Sequence, residues 1–480
     1  MKGIRSKARR AWRVAVPVLL LLPVSCGDAL GPTAAQFTDE PAPEVVAFVD
    51  VNLVTMDADR FVPRQTVVVR EGLIEAIGPS DQVPVPQGAF VIEGQGRYLV
   101  PGLVDMHVHV TSRTFAQLHN DFMLWLANGV TTVRVMWGSS GIVAERERIE
   151  LGEVLGPALL VASPGIDGPD GTWTDRTPAV RNAAEARERV ALHATTGYDF
   201  IKVYNDLDLP MYRAIIDEAE RQGLPVVGHV PGRVGVARVQ AAGQLTLEHF
   251  IGFKIDAATR FNGGVLDLAR VRELAAASRD AGVWHTPTIT VDALSRARVQ
   301  AIQAGDELPY VSPGMRGFFE DGFYHGFAKS VSDVEERHHR AMTKILHDAS
   351  ARLLVGTDAG FGWILPGYSI HDELWNLVEA GLSPYEALRA ATASPARAVD
   401  QASTYGRIVV GLRADLLLLT QNPLDSLDAL RESSGTMVRG RWLARGTLQR
   451  RLGEIRAEYA GSSASAPRLS SARRRSLAVR

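Results

Sequence analysis

Short apolar runs alternate with helical patterns from residue 101 to 400, and this alternation restricts the fold more than any other feature of the chain. The runs read LVPGLVDMHVHV at 99–110, VTTVRVM at 130–136, ALLVASPG at 158–165, DFIKVY at 199–204, LPVVGHV at 224–230, LTLEHF at 245–250, VWHTPTI at 283–289 and ARLLVGTDAG at 351–360. Helical patterns lie between them, for example at 178–195, 210–222 and 266–281. A strand–helix–strand crossover returns the chain in the same direction, so this pattern predicts a parallel sheet. Eight strands are the number that closes a (β/α)8 TIM barrel. The expected class is therefore α/β, with the barrel over 101–400. The connection at 294–347 is longer than an ordinary crossover. Its EERHHRAMTKILHDA end has a helical pattern, and 309–328 is expected to form a lid or mobile loop over the barrel mouth.

The flanks have a different texture. VVAFVDVNLVTM, QTVVVREGLIEAIG and AFVIEGQGRYLV are β-branched runs broken by turn residues, with a hairpin expected at Glu71-Gly72. Similar text resumes with GRIVVGLRADLLLLT at 406–420 and GTMVRGRWLARG at 435–446. Residues 44–100 and 401–448 are expected to form one small β-sandwich built from both ends of the chain. Residues 449–480 are expected to be a C-terminal helix and a Ser/Ala/Arg-rich tail that is disordered from Gly461.

The first 26 residues read as an export signal. Lys2, Arg5, Lys7, Arg9, Arg10 and Arg13 precede an apolar core at 14–24, too short to span a bilayer comfortably. It ends at Cys26, the only cysteine, in a context similar to a bacterial lipoprotein cleavage site; cleavage at 28–35 is the alternative. Residues 27–43 read as a tether. The expected location is the periplasm or its membrane surface, with membrane contact only through the signal or a lipid. One cysteine excludes an intramolecular disulfide and a cysteine-based metal cluster. A net charge of -2 gives no global field for nucleic acid.

Chemistry-bearing residues end the predicted strands. His107 and His109 are spaced i, i+2, which on a strand puts both imidazoles on one face. Taken alone, such a pair is better explained by buried core histidines. Lys202 in FIKVY, His229 in VVGHV, His249 in TLEHF and Asp358 in VGTDAG change that balance, because the C-terminal strand ends of a barrel face one mouth. A lysine inside an apolar strand needs a partner or a special role; Asp358 and Glu248 are the available partners.

These motifs carry a resemblance. PGLVDMHVH, GVTTVR, FIKVY, VVGHV, TLEHF, GTDAG and EAGLSPYEALRAATASPA followed by YGRIVVGLRADLLLL resemble, in order, the amidohydrolase superfamily of metal-dependent hydrolases, in its imidazolonepropionase-like and prolidase-like branch. The resemblance implies a (β/α)8 barrel beside a β-sandwich and two divalent metal ions, with zinc expected. His107, His109 and Asp358 would hold one ion, His229 and His249 the other, and Lys202 would bridge them as a carbamate. A metal-bridging hydroxide would attack the substrate carbonyl, with Asp358 taking the proton and passing it to the leaving nitrogen. The implied substrates are small: dipeptides such as Xaa-Pro, or N-acyl amino acids. Tyr204 and Arg134 are expected to meet a substrate carboxylate, and His285 and His371 to line the mouth. The family often has an acid after TTVR, where this chain has Val135. A mononuclear cyclic amidase or deaminase, and a non-catalytic surface-anchored binding protein on the same fold, stay open, as does homo-oligomerisation. His119, His193, His325, His338, His339 and His347 read as helix-surface or loop residues.

Overall fold

The computed structural model describes residues 43–465, except 111–113, 172, 174–176, 260–263, 294–299, 301, 306, 313–314, 317–332 and 362. The expected export signal, Cys26, the tether, much of the expected lid and the last fifteen residues fall outside the described residues.

Strands β1 (Val45–Leu53), β2 (Val62–Arg70), β3 (Leu73–Pro79), β4 (Phe90–Glu93) and β5 (Tyr98–Pro101) come from the N-terminal flank. At the other end lie β14 (Leu416–Leu419), β15 (Ser433–Val438) and β16 (Arg441–Ala444). All eight share one sheet, β16-β15-β14-β5-β1-β2-β3, with β4 on β1. The joint between the two chain ends is antiparallel, Leu416 opposite Pro101 and Leu418 opposite Leu99. Val46, Phe48, Val67, Leu99, Leu416 and Met437 give this sheet its own buried core. The β2–β3 turn falls at Glu71-Gly72, both left-handed (φ 48° and 80°), as the favoured two-residue hairpin turn requires.

The run at 99–110 is two elements, not one. Pro101 ends β5, and β6 (Leu103–Val108) begins a separate parallel system. Gly102 is the joint, where a Cβ would stand 2.3 Å from the Thr131 hydroxyl. The parallel strands are β6, β7 (Val130–Val135), β8 (Ala158–Val161), β9 (Ile201–Val203), β10 (Val226–Gly228), β11 (Thr246–Glu248), β12 (Trp284–Thr286) and β13 (Arg352–Leu353). Pairing groups them as β6-β7-β8 and β13-β12-β11-β10-β9. Parallel bridges stand at both seams between these sheets: Ala162 with Phe200, Ile166 with Val203, and Val108 with Ala359. Val104, Met106, Leu160, Phe200, Val227, Trp284 and Leu354, drawn from both, form one apolar cluster.

Helices follow the strands: α1 (Phe115–Ala127), α2 (Ser140–Glu150), α3 (Ala183–Thr196), α4 (Leu209–Gln222), α5 (Val236–Ala241), α6 (Ile251–Ala257), α7 (Leu268–Ala281), α8 (Ile289–Asp292), α9 (Asp333–Asp348), α10 (Ser369–Glu379), α11 (Pro384–Ala390) and α12 (Ala393–Ala398). Their boundaries follow local chemistry. In α4 the Asp208 carboxylate accepts from Met211 N, Pro210 occupies the first turn, and left-handed Gly223 ends the helix. The last helix, α13 (Arg445–Ser465), extends past Gly461, where disorder was expected. Its Leu448, Ile455 and Tyr459 bury against Met123 and Leu126 of α1, which explains why it forms. Among the described residues no helix is long and apolar enough to cross a membrane.

Candidate metal centre

The residues that end β6, β9, β10, β11 and β13 converge. His107 Nε2 lies 3.3 Å and His109 Nε2 3.0 Å from the same Asp358 oxygen, Oδ1. The His107 and His249 rings are 4.5 Å apart, and His229 meets His249 edge to face at 5.0 Å. Tyr204 stacks on His229 at 4.1 Å. The Lys202 ammonium sits 5.7 Å from the Trp137 ring and 5.6 Å from that of Tyr204. The six residues expected as metal ligands therefore form one cluster.

Local backbone chemistry aims them. Gly228 precedes His229 at φ 122°, and a Cβ there would stand 2.3 Å from the Val203 carbonyl, so only glycine lets the chain pass. His249, Phe250, Thr288 and Asp358 all adopt positive φ, between 51° and 63°. Bulky residues rarely hold this conformation, and such strain concentrates at functional sites.

Partners fix the imidazoles. Glu248 Oε2 lies 2.9 Å from His107 Nδ1, Asn205 Oδ1 lies 2.7 Å from His229 Nδ1, and Thr288 Oγ1 lies 2.6 Å from His249 Nδ1. In each case Nδ1 is engaged, leaving Nε2 for the cluster. Asp105 accepts from the amide and hydroxyl of Thr357 and from the His107 amide, which ties β6 to the turn that presents Asp358.

Burial dominates the electrostatics. It holds His107 and His229 well below the usual histidine range and pushes His249 down to about 4. Burial pushes the Lys202 amine down to about 8, against the opposing pull of Asp358 and Glu248. For Asp358 burial would raise the carboxyl, but its contacts with His107, His109 and His249 outweigh it and hold it below the ordinary range.

This donor set fits a divalent cation. His107 Nε2 is buried without a hydrogen-bond partner, although it faces Asp358 Oδ1, the oxygen that His109 Nε2 also approaches. Donor atoms of His107, His249 and Asp358 all lie within 4.8 Å of one another. Neutral imidazoles and a carboxylate are the ligand types that zinc and similar ions take.

The four residues expected to contact substrate separate. Tyr204 is in the cluster, and its hydroxyl accepts from Trp173 Nε1 at 2.8 Å. Arg134 is fully buried and gives its donors to the Met106 carbonyl, the Thr246 hydroxyl and Glu248 Oε1, so it props Glu248 rather than facing an open space. His285 lies on the outer face of β12. Its neighbour Trp284 joins the inner cluster and Thr286 reaches Arg134, so strand alternation turns His285 outward against Phe250 and Phe253. His371, on α10, lies 3.2 Å from Asn128 at the end of α1, away from the cluster.

Sequence reasoning overlooked Glu248, Asn205, Thr288 and Asp105 as supports. Glu248 and Asn205 sit beside motif residues, in TLEHF and after FIKVY, and that adjacency was the available signal. His119 and His339, read as surface residues, are buried: His119 against Glu145, His339 against Asp292.

The chain is similar to known proteins in sequence and in fold. An adenine deaminase from Staphylothermus marinus is 23% identical over 402 residues, 79% of this chain and 54% of that protein. The chain thus spans about half the length of such relatives. An imidazolonepropionase from Salmonella paratyphi A is 23% identical over 427 residues, 77% of this chain and 90% of its own. A structure from Bifidobacterium longum assigned to a prolidase superposes with a TM-score of 0.66 at 27% identity, covering 86% of this chain and all of that one. The model of the amidohydrolase family matches residues 98–443, from β5 to the end of the second β flank. That span contains every residue of the cluster, and the chain belongs to the amidohydrolase family.

Proposed function

We propose that this chain is a binuclear metal-dependent hydrolase of amide C–N bonds in small substrates. The observation that carries the reading is that His107 Nε2 and His109 Nε2 converge on one buried oxygen, Asp358 Oδ1, with His107 Nε2 left without a hydrogen-bond partner, in a cluster that Lys202, His229 and His249 complete. The seam bridges support a closed eight-stranded barrel around it; the two flanks, expected as a β-sandwich, form one eight-stranded sheet beside it.

His107, His109 and Asp358 would hold one ion and His229 and His249 the second. Lys202 would join them as a carbamate, formed when its neutral amine takes up carbon dioxide and releases a proton; the lowered pKa, about 8, favours that neutral amine. When bound, two dications would polarise the scissile carbonyl and acidify an attacking water. Asp358, kept anionic by its histidine neighbours, takes the proton of that water and delivers it to the leaving nitrogen. Glu248, Asn205 and Thr288 hold the imidazoles in the tautomer that turns Nε2 inward. Tyr204, stacked on His229, directs its hydroxyl toward the substrate, with Trp173 fixing the phenol.

The substrate class we favour is a dipeptide or N-acyl amino acid with a free carboxylate, supported by the prolidase-like neighbour. The likeness to imidazolonepropionase and adenine deaminase supports a second reading, a mononuclear cyclic amidase or deaminase. Elemental analysis of metal-loaded protein decides between them: two ions per chain support the first and one the second. His107→Ala or Asp358→Ala should abolish turnover of a panel of dipeptides, N-acyl amino acids and cyclic amides. No bound metal after loading would refute both readings. Export with lipid attachment at Cys26 is part of this proposal, and Cys26→Ser should release the protein from membranes.

A further inference from the structure

Next to the metal cluster lies a second set of buried charges that the hydrolytic scheme does not use. Lys254 of α6 reaches Asp292, the last residue of α8, at 2.8 Å and Glu335 of α9 at 2.8 Å. The same Asp292 oxygen lies 2.7 Å from Nδ1 of His339, one turn further along α9. All four side chains are buried. Charges are kept in such a place only when paired, because stranding one is strongly unfavourable. Burial would raise the Asp292 carboxyl, but His339 and Lys254 outweigh it.

The other nitrogen of His339 points at the cluster. Nε2 donates to the His249 carbonyl at 3.0 Å, and the His339 ring meets Phe250 edge to face at 5.4 Å. His249 and Phe250 are consecutive left-handed residues, φ 61° and 56°, a conformation that persists only where the surroundings enforce it. On the sheet side the His249 amide donates to the Thr286 carbonyl. On the helix side His339 holds the carbonyl of the first strained residue and the ring of the second.

We propose that His339 is a positioning residue for His249. With Asp292, Lys254 and Glu335 it forms a strut that makes the metal site depend on the docking of α9, the helix that ends the long connection after β12. The inference rests on His249 being a metal ligand. Linkage makes the dependence mutual: whatever metal binding gains from a docked α9, α9 gains from bound metal.

The test uses the full chain, stripped and reloaded with cobalt or zinc. His339→Leu should weaken cobalt binding by about 10- to 100-fold in chelator competition, the loss usual for residues that orient a ligand. It should also alter the visible absorption bands of the cobalt protein. His339→Gln, whose amide can still donate to the His249 carbonyl, should recover most of the affinity and the native spectrum. In the wild type, zinc should slow amide exchange across 333–348, and His339→Leu should remove that protection. If His339→Leu fails to fold, Asp292→Asn, nearly isosteric, takes its place with the same direction expected. A variant that melts earlier but keeps the native cobalt affinity and spectrum would overturn the proposal, as would wild-type exchange over 333–348 that ignores zinc. Wild-type protein that binds no cobalt would instead refute the underlying metal reading.

Discussion

Removing Arg134 and then Glu248 should cost stability and metal affinity by separable routes. Its guanidinium donates to the Met106 carbonyl at 2.6 Å, to the Thr246 hydroxyl at 3.1 Å and to Glu248 Oε1 at 2.9 Å, and neither Arg134 nor Glu248 has exposed side-chain surface. In Arg134→Met the apolar volume is largely kept, but Glu248 is stranded as a buried carboxylate. Breaking such a pair costs about 3–5 kcal/mol. Glu248 would keep the Thr246 hydroxyl and the His107 ring as partners, so the lower end, about 3 kcal/mol, is expected. In Arg134→Met/Glu248→Leu the stranded charge is gone, and most of that loss should return, a coupling of roughly 2–3 kcal/mol. Metal affinity should fall in this double variant, because His107 has lost the acceptor that fixes its tautomer; a deficit of about 10- to 100-fold is expected. Urea titration of metal-stripped protein reads the first quantity and chelator competition the second. A single-variant cost below about 1 kcal/mol, or a double variant whose losses simply add, would refute the account of Arg134 as a counter-charge.

Three further outcomes follow from the geometry. Lys202→Ala should lose activity by about 10- to 100-fold or more and regain part of it with short carboxylic acids that fill the bridge; undiminished activity would exclude a bridging role. His285, pushed down to about 3 by burial from an ordinary 6.5, stays neutral in the fold. Below pH 6.5 the unfolded chain takes up a proton that the folded chain refuses, so the stability present above 6.5 drains away as pH falls toward 3. His285→Phe should therefore move the acid-unfolding midpoint to lower pH, and an unmoved midpoint would contradict this. Tyr204→Phe should lower kcat/KM for free-acid dipeptides by about 3- to 10-fold, one hydrogen bond's worth, with a smaller effect on the amidated forms; equal effects on both would remove Tyr204 from carboxylate recognition.

The parallel strands and the residues at their ends were legible because each apolar run is bounded by turn residues and carries its polar residue at the C-terminal end. What was not legible is the direction of side chains inside short, fully buried strands. Trp284, His285 and Thr286 are all buried, so hydrophobic alternation is silent about which of them faces inward, and His285 was placed on the wrong side. Arg134 in VTTVRVM was rightly placed on a strand, but only the tertiary arrangement, which brings β11 of the other sheet within reach of β7, shows that Glu248 waits for it. His339 lies in a strongly charged helix, EERHHRAMTKILHD, which by itself reads as solvated. Its burial depends on α6 and α8, elements distant in sequence. The joint at Gly102 was legible in part, since Pro101-Gly102 marks the boundary between flank and parallel strands, but not that Leu99 and Val100 belong to a strand of the outer sheet.

The antiparallel contact between β5 and β14 has a consequence for the order in which the molecule can be made. During synthesis β5 emerges early, while its partner Leu416–Leu419 leaves the ribosome only after every parallel strand has been translated. Until then the backbone of Tyr98–Pro101 is an open sheet edge on that side, the kind of template that recruits foreign strands. Closing it brings together segments separated by most of the chain, a slow step in topologies ruled by distant pairings. A product truncated between residues 360 and 415 would keep every residue of the metal cluster and still lack the strand that seals this edge. Such fragments should appear as aggregates, so the boundaries of any minimal active version are set by the outer sheet and not by the metal ligands.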